Sequence, residues 1–273
     1  MGSGIAEVAA RAGSDVVVVE IDQAALDAGR GRVENSLARA VAAGKIEGTA
    51  RNAALDHLRF TTEYGELSDR QLVVEAVVES EPDKVHVFSL LDQAVTNADA
   101  ILASNTSSIP IMKLAMATSR PDKVVGMHFF NPVPVLRLVE LIPSLLTSPD
   151  TVQQAGAFAT DVLHKRVILS QDRAGFVVNA LLIPYLLSAV RMLESGFASA
   201  EDIDAGMVEG CAHPMGPLAL ADLIGLDTTA AVAQSLYEEF KEPLYAPPPL
   251  LSRMVEAGLL GRKTGRGFFS YRA

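Results

Sequence analysis

Residues 15–20, DVVVVE, set four consecutive valines between two acids. A β-branched run this short reads as a strand buried on both faces. LVVEAVV at 72–78 reads the same way, as do AILA at 100–103 and VVGMHF at 124–129. Helical periodicity fills the intervals, over 3–12, 22–43, 82–95 and 109–117. Strands separated by helices of that length predict βαβ units and a parallel sheet. With right-handed crossovers the architecture is α/β and doubly wound, of the Rossmann type.

The pattern changes past residue 130. LRLVELI at 136–142 reads as another strand, and the linker before it, NPVPV, is too short to hold a crossover helix. This pair is therefore expected to run antiparallel. A helix over 149–163 and a strand over 165–169 follow. From there the chain reads as helices only, over 174–195, 199–210, 216–239 and 250–258. The expected boundary lies near Gln171, with a nucleotide-binding domain over 1–171 and an all-α domain over 172–273.

Composition narrows the function classes. The chain has 273 residues, 49% of them hydrophobic, enough for a substantial core and against wholesale disorder. A net charge of −10 argues against nonspecific binding to nucleic acid or anionic membranes. Three basic residues near the end, Arg262, Lys263 and Arg266, do not reverse that. The longest uncharged stretch, 174–190, is short and interrupted by Asn179 and Pro184, so it reads as a buried core helix rather than a membrane span. No targeting segment is visible, and the cytoplasm is the simplest compartment. The single cysteine, Cys211, excludes a disulfide framework and reads as buried packing. The five histidines lack ligand spacing, so no metal site is expected.

A dinucleotide site needs a glycine turn at a helix N-terminus and an acid closing the next strand. Gly2 opens the 3–12 helix, and Glu20 follows 18 positions on. Glu20 can accept both ribose hydroxyls of NAD and would repel a 2′-phosphate. Taken alone, Gly2 and Gly4 read equally as a small-residue helix start.

His128 and Glu140 stand at equal distances from Pro134. If the two strands form a hairpin about that proline, the two side chains face each other, within reach of a hydrogen bond. A neutral imidazole can take the proton of an alcohol while a carboxylate steadies the resulting imidazolium. The pairing alone also fits a core histidine beside a solvated glutamate. Ser107, in SNTSS at the sheet's carboxyl edge, could contact a ligand or cap a helix, as could Ser108.

MGSGIAEVAARAG with VVVVEID, VVEAVVE, ASNTSS, GMHFFNPVP, LVELI, DRAGFVVNALLIPYL, HPMGPLALADLIGLD and GRKTGRGFFSY, in this order along the whole chain, resemble the L-3-hydroxyacyl-CoA dehydrogenase family, the bacterial 3-hydroxybutyryl-CoA enzymes in particular. The resemblance implies NAD-dependent interconversion of a short-chain L-3-hydroxyacyl-CoA and 3-oxoacyl-CoA. It implies His128 and Glu140 as the catalytic pair, with Ser107 and Asn179 contacting the reacting oxygen. Cofactor contacts would fall to Gly2, Glu20, Glu79, Lys84, Ser107, Asn131 and Lys263, although Lys84 and Lys263 read without it as surface charges. Ser36 matches a contact to coenzyme A. The family's lysine beyond it falls near Ala43, so Lys45 is expected to substitute. The family pattern begins earlier, with a strand and Gly-x-Gly. Met1 and Gly2 match the motif's last two positions, so a central strand is expected to be missing, with weakened cofactor binding. The substrate is expected between the sheet's carboxyl edge and the helical domain. Apolar helices over 179–190 and 216–232 predict a homodimer. Two other readings stand beside this one: a dehydrogenase of non-CoA 3-hydroxy acids, and a non-catalytic dimeric remnant without its cofactor loop.

Overall fold

The computed structural model describes residues 1–271. Its elements run α1 (Gly2–Arg11), β1 (Val16–Val19), α2 (Gln23–Ala42), α3 (Gly48–Asp56), β2 (Leu58–Thr61), β3 (Leu72–Glu75), α4 (Glu81–Ala94), β4 (Ile101–Ser104), α5 (Ile111–Ala115), β5 (Val124–Phe129), β6 (Leu138–Pro143), α6 (Pro149–Ala157) and β7 (Arg166–Leu169). Helices α7 (Val178–Glu194), α8 (Ala200–Cys211), α9 (Pro217–Ile224), α10 (Leu226–Phe240) and α11 (Pro249–Glu256) follow. Contacts divide the chain into two compact units, Met1–Asp172 and Arg173–Ala273.

The first unit is a Rossmann-like α/β arrangement with helices flanking a mixed sheet. Strands β3-β4-β5-β6-β7 lie side by side in that order, and β1 pairs with β2 apart from them. All pairings are parallel except β5 with β6. A loop from Phe130 to Arg137 joins that pair, which is hairpin length rather than crossover length. Its register sets Gly126 against Ile142 and His128 against Glu140. Gly126 pins this arrangement: a Cβ there would come within 2.9 Å of both Ile111 on α5 and Ile142 on β6. A one-residue slip would force a side chain into that space and turn every neighbour to the other face.

Burial on both faces holds for β4 and β5, whose residues are all buried, but not for β1, which is half-buried throughout. Between β1 and β3 runs a cleft of about 680 Å³, floored by Ile5, Ala6 and Ala9 of α1. Neither strand pairs with the other. Near their starts, the Arg70 guanidinium before β3 reaches the carbonyl of Asp15 before β1. Two elements escape the sequence patterns. Strand β2, LRFT, and helix α3 are each too short and too polar for a clear period.

The second unit is helical. Leu186, Leu187 and Val190 of α7 pack with Leu218, Ala221, Leu226, Leu236 and Leu251. The single helix expected over 216–239 is two, because Gly225 adopts φ +105° and breaks it. The buried helix read over 174–190 is buried on one side only: Leu181 is 72% exposed. Cys211 is exposed, not packed inside, because it ends α8 at the surface. No helix among the described residues is long and apolar enough to cross a membrane. No group of three His, Cys, Asp or Glu among them could hold a metal ion.

Candidate active site

The antiparallel register brings His128 and Glu140 together. Imidazole Nδ1 lies 2.7 Å from Glu140 Oε2. Glu140 is 0% exposed and His128 6%. At that distance and burial the contact is a charge-assisted hydrogen bond of the stronger kind. The ring of Phe130 lies against the imidazole, with centroids 4.5 Å apart. The loop after β4 is tied to the same place, since the Phe129 amide donates to Asn105 Oδ1 at 2.8 Å. Ser107 therefore sits on a segment anchored to the residue next to His128.

Ser107 and Ser108 do not cap α5. Its first amides, from Ile111 and Met112, donate to the Asp172 carboxylate at 2.7 and 2.8 Å. Asp172 lies some sixty residues downstream, so only the fold could reveal this cap. The serines turn instead onto Glu79. Its Oε1 accepts from Thr106 Oγ1 at 2.6 Å and from the amides and hydroxyls of Ser107 and Ser108 at 2.8 to 3.1 Å. Burial pushes the Glu79 carboxyl up. The Thr106 hydrogen bond, the Lys84 charge and the Ser107 donors outweigh it and hold the group below its ordinary value.

Lys84 is not a surface charge. It is 1% exposed, and its ammonium lies 2.7 Å from Glu75 Oε1 and 3.5 Å from Glu79 Oε2. Glu75 is the residue the sequence reading missed. It stands in the apolar run LVVEAVV with nothing local to pair with. A charge inside such a run was the available signal, because buried charges demand partners.

Gly2 lies at the N-terminus of α1, where its missing Cβ would sit 3.6 Å from Ala76 just past β3. No side chain caps that helix end, and no acid lies in its first turn. Glu20 closes β1, its amide bonded to the Thr61 carbonyl. An uncapped helix start beside glycine, with a carboxylate one strand on, is a donor and acceptor set that fits a dinucleotide. Asn131 and Ser36 line a second cleft of about 310 Å³, together with Ser3, Arg32, Asn35 and Arg39. Lys45 does not line it. It lies past the end of α2, where nine residues beyond Ser36 correspond to about 13 Å along a helix. Arg32 and Arg39, at four before and three after Ser36, share its face and supply the cations there.

Two of the expected residues belong to the helical unit. Asn179 stands in the first turn of α7, half-buried. Lys263 holds both oxygens of Asp227 at 2.5 Å. Burial raises the Asp227 carboxyl, but the Lys263 hydrogen bond, the Thr228 amide and the Lys263 charge together outweigh it and leave the group below its ordinary value.

Fold and site together define a class, a Rossmann-type nucleotide-binding α/β unit followed by a helical unit. Two family models match in tandem: 3-hydroxyacyl-CoA dehydrogenase, NAD binding domain, over residues 1–173, and the C-terminal domain of the same family over 175–271. The chain belongs to the 3-hydroxyacyl-CoA dehydrogenase family, and its first unit is that family's NAD-binding domain. It is 60% identical over 271 residues to the 3-hydroxybutyryl-CoA dehydrogenase of Mycobacterium tuberculosis, covering 99% of this chain and 95% of that one. It is 45% identical over 271 residues to the enzyme of the same name from Clostridioides difficile, covering 99% and 96%. Among solved structures it superposes on FadB2 of M. tuberculosis with a TM-score of 0.99 at 60% identity, covering 100% and 95% of the two chains. On (S)-3-hydroxybutyryl-CoA dehydrogenase PaaH1 of Ralstonia eutropha the TM-score is 0.94 at 46% identity, covering 100% and 96%.

Proposed function

We propose that this protein interconverts a short-chain L-3-hydroxyacyl-CoA, such as 3-hydroxybutyryl-CoA, and the 3-oxoacyl-CoA, using NAD. The observation that carries the reading is the buried contact between His128 and Glu140, on facing strands of an NAD-binding domain. NAD, when bound, supplies the hydride acceptor. His128 takes the hydroxyl proton on the ring nitrogen turned away from Glu140, as the carbon–hydrogen bond gives up its hydride. Glu140 holds the imidazole in the tautomer whose Nδ1 carries hydrogen and stabilises the cation that forms. Ser107 hydrogen-bonds the oxygen that gains negative character, and Asn179 is a second contact to the substrate. Glu20 accepts the adenosine ribose hydroxyls, and the start of α1 with Gly2 receives the pyrophosphate. Glu79 and Lys84 shape the end of β3 toward the nicotinamide ribose, while Asn131 keeps its place beside the histidine's loop. Lys263, paired with Asp227, is the remaining cofactor contact. Coenzyme A is read through Ser36 with Arg32 and Arg39.

The exposed side chains of Leu181, Phe197 and Leu223 support a homodimer formed through the helical unit. Light scattering at micromolar concentration checks this, and a monomer contradicts it. The functional reading is tested by NADH oxidation with acetoacetyl-CoA against free acetoacetate. Turnover confined to the thioester supports it. Equal turnover of the free acid points to a dehydrogenase of non-CoA hydroxy acids. No NADH binding by fluorescence points to a non-catalytic remnant.

A further inference from the structure

Two carboxylates bracket one buried ammonium at the carboxyl ends of β3 and β4. Glu75 spends every oxygen: Oε1 accepts from Lys84 Nζ and from the Val77 amide, each at 2.7 Å, and Oε2 from Ser104 Oγ at 2.6 Å. Ser104 Oγ in turn accepts from the Thr106 amide at 3.2 Å. Lys84 then faces Glu79, whose Oε1 gathers the Thr106, Ser107 and Ser108 donors. A buried charge pair is costly to assemble and gives little net stability against an apolar replacement of the same shape. What it gives here is position, because the Glu75 oxygens hold the chain just past β3 and the end of β4, and Ser104 carries the link on to the loop bearing Ser107.

We propose that Glu75 is a positioning residue: through Lys84 it fixes Glu79, and through Ser104 the loop 104–108, so that Ser107 is held in one place beside the His128 strand. Glu75 touches neither substrate nor cofactor. The inference rests on the proposed function only for what Ser107 does, not for where it is held.

The test is Glu75→Gln, which keeps shape and acceptor oxygen but removes the charge facing Lys84. Amide hydrogen exchange at Ser107 and Ser108 is expected to quicken at least tenfold, while amides of Val124–Phe129 keep their rates. Because Ser107 then leaves the oxygen that gains negative character, kcat is expected to fall at least tenfold, and because Glu79 loses its fixed place toward the ribose, the KM for NAD is expected to rise at least tenfold. A double variant, Glu75→Gln with Lys84→Met, removes both charges. It is expected to recover the Tm lost in the single variant but not the exchange protection or the KM. Unchanged exchange at 107 and 108 in Glu75→Gln overturns the proposal. So does a double variant that recovers KM together with Tm, since that marks a purely structural pair. Should Glu75→Gln not fold, exchange at Ser107 and Ser108 in the double variant decides, with unchanged protection there overturning the proposal. If wild-type protein turns over no acyl-CoA, the functional reading fails while the exchange measurement still judges this one.

Discussion

Replacing Glu140 with Gln isolates the electrostatic part of the proposed chemistry. The amide is nearly isosteric, and its oxygen can still accept from Nδ1, so the ring keeps its orientation. What disappears is one negative charge, fully buried, whose oxygen lies 2.7 Å from the imidazole nitrogen. Taking charge centres about 4 Å apart and an effective dielectric near 20, its attraction for an imidazolium is about 4 kcal/mol. That attraction exists only once the ring has taken the proton, so it lowers the barrier rather than tightening the ground state. At about 1.4 kcal/mol per factor of ten, kcat should fall on the order of a thousandfold. The KM for NAD should stay within about threefold, because the pair is not a proposed cofactor contact. Folding should survive, since an imidazole can shed its proton and no charge is left stranded. The assay is steady-state NADH oxidation with acetoacetyl-CoA, with NADH binding by fluorescence as the control. A variant retaining more than about a tenth of wild-type kcat with intact folding refutes the assignment of Glu140 as the partner of the forming cation.

Replacing His128 with Gln should abolish turnover and leave NADH binding within about threefold; unchanged turnover removes it from the mechanism. Glu79, held below its ordinary value of 4.5, stabilises the fold above that pH. The contribution is lost as pH falls through its folded value. Glu79→Gln should therefore unfold more readily than wild type at neutral pH, and the two stability curves should converge in acid; parallel curves down to low pH would contradict the linkage. Arg39→Ala should raise the KM for acetoacetyl-CoA roughly tenfold, whereas Lys45→Ala should change it less than about twofold; the reverse order would restore Lys45 as the coenzyme A contact.

What the sequence determined by itself is local or nearly so. Valine runs and helical periods marked six of the seven strands among the described residues and the order of most helices, because side-chain direction follows the period of the backbone. The facing of His128 and Glu140 was legible only on the condition of a hairpin centred on Pro134, and the register has that centre. Even so, the role of that pair came from resemblance, not from spacing. Strand β2 was lost because LRFT, with an arginine and neither valine nor isoleucine, lacks the β-branched run that marked the others, and the break at Gly225 because a glycine's φ is not written in a helical period. Tertiary structure alone decided where the charges go. Glu75 and Lys84 are nine residues apart, Glu79 meets Ser107 across 28, and Asp172 reaches α5 across 61. Such partners meet only when parallel strands bring their carboxyl ends together. A carboxylate's environment, and with it whether it binds, caps or braces, depends on neighbours that no stretch of sequence contains.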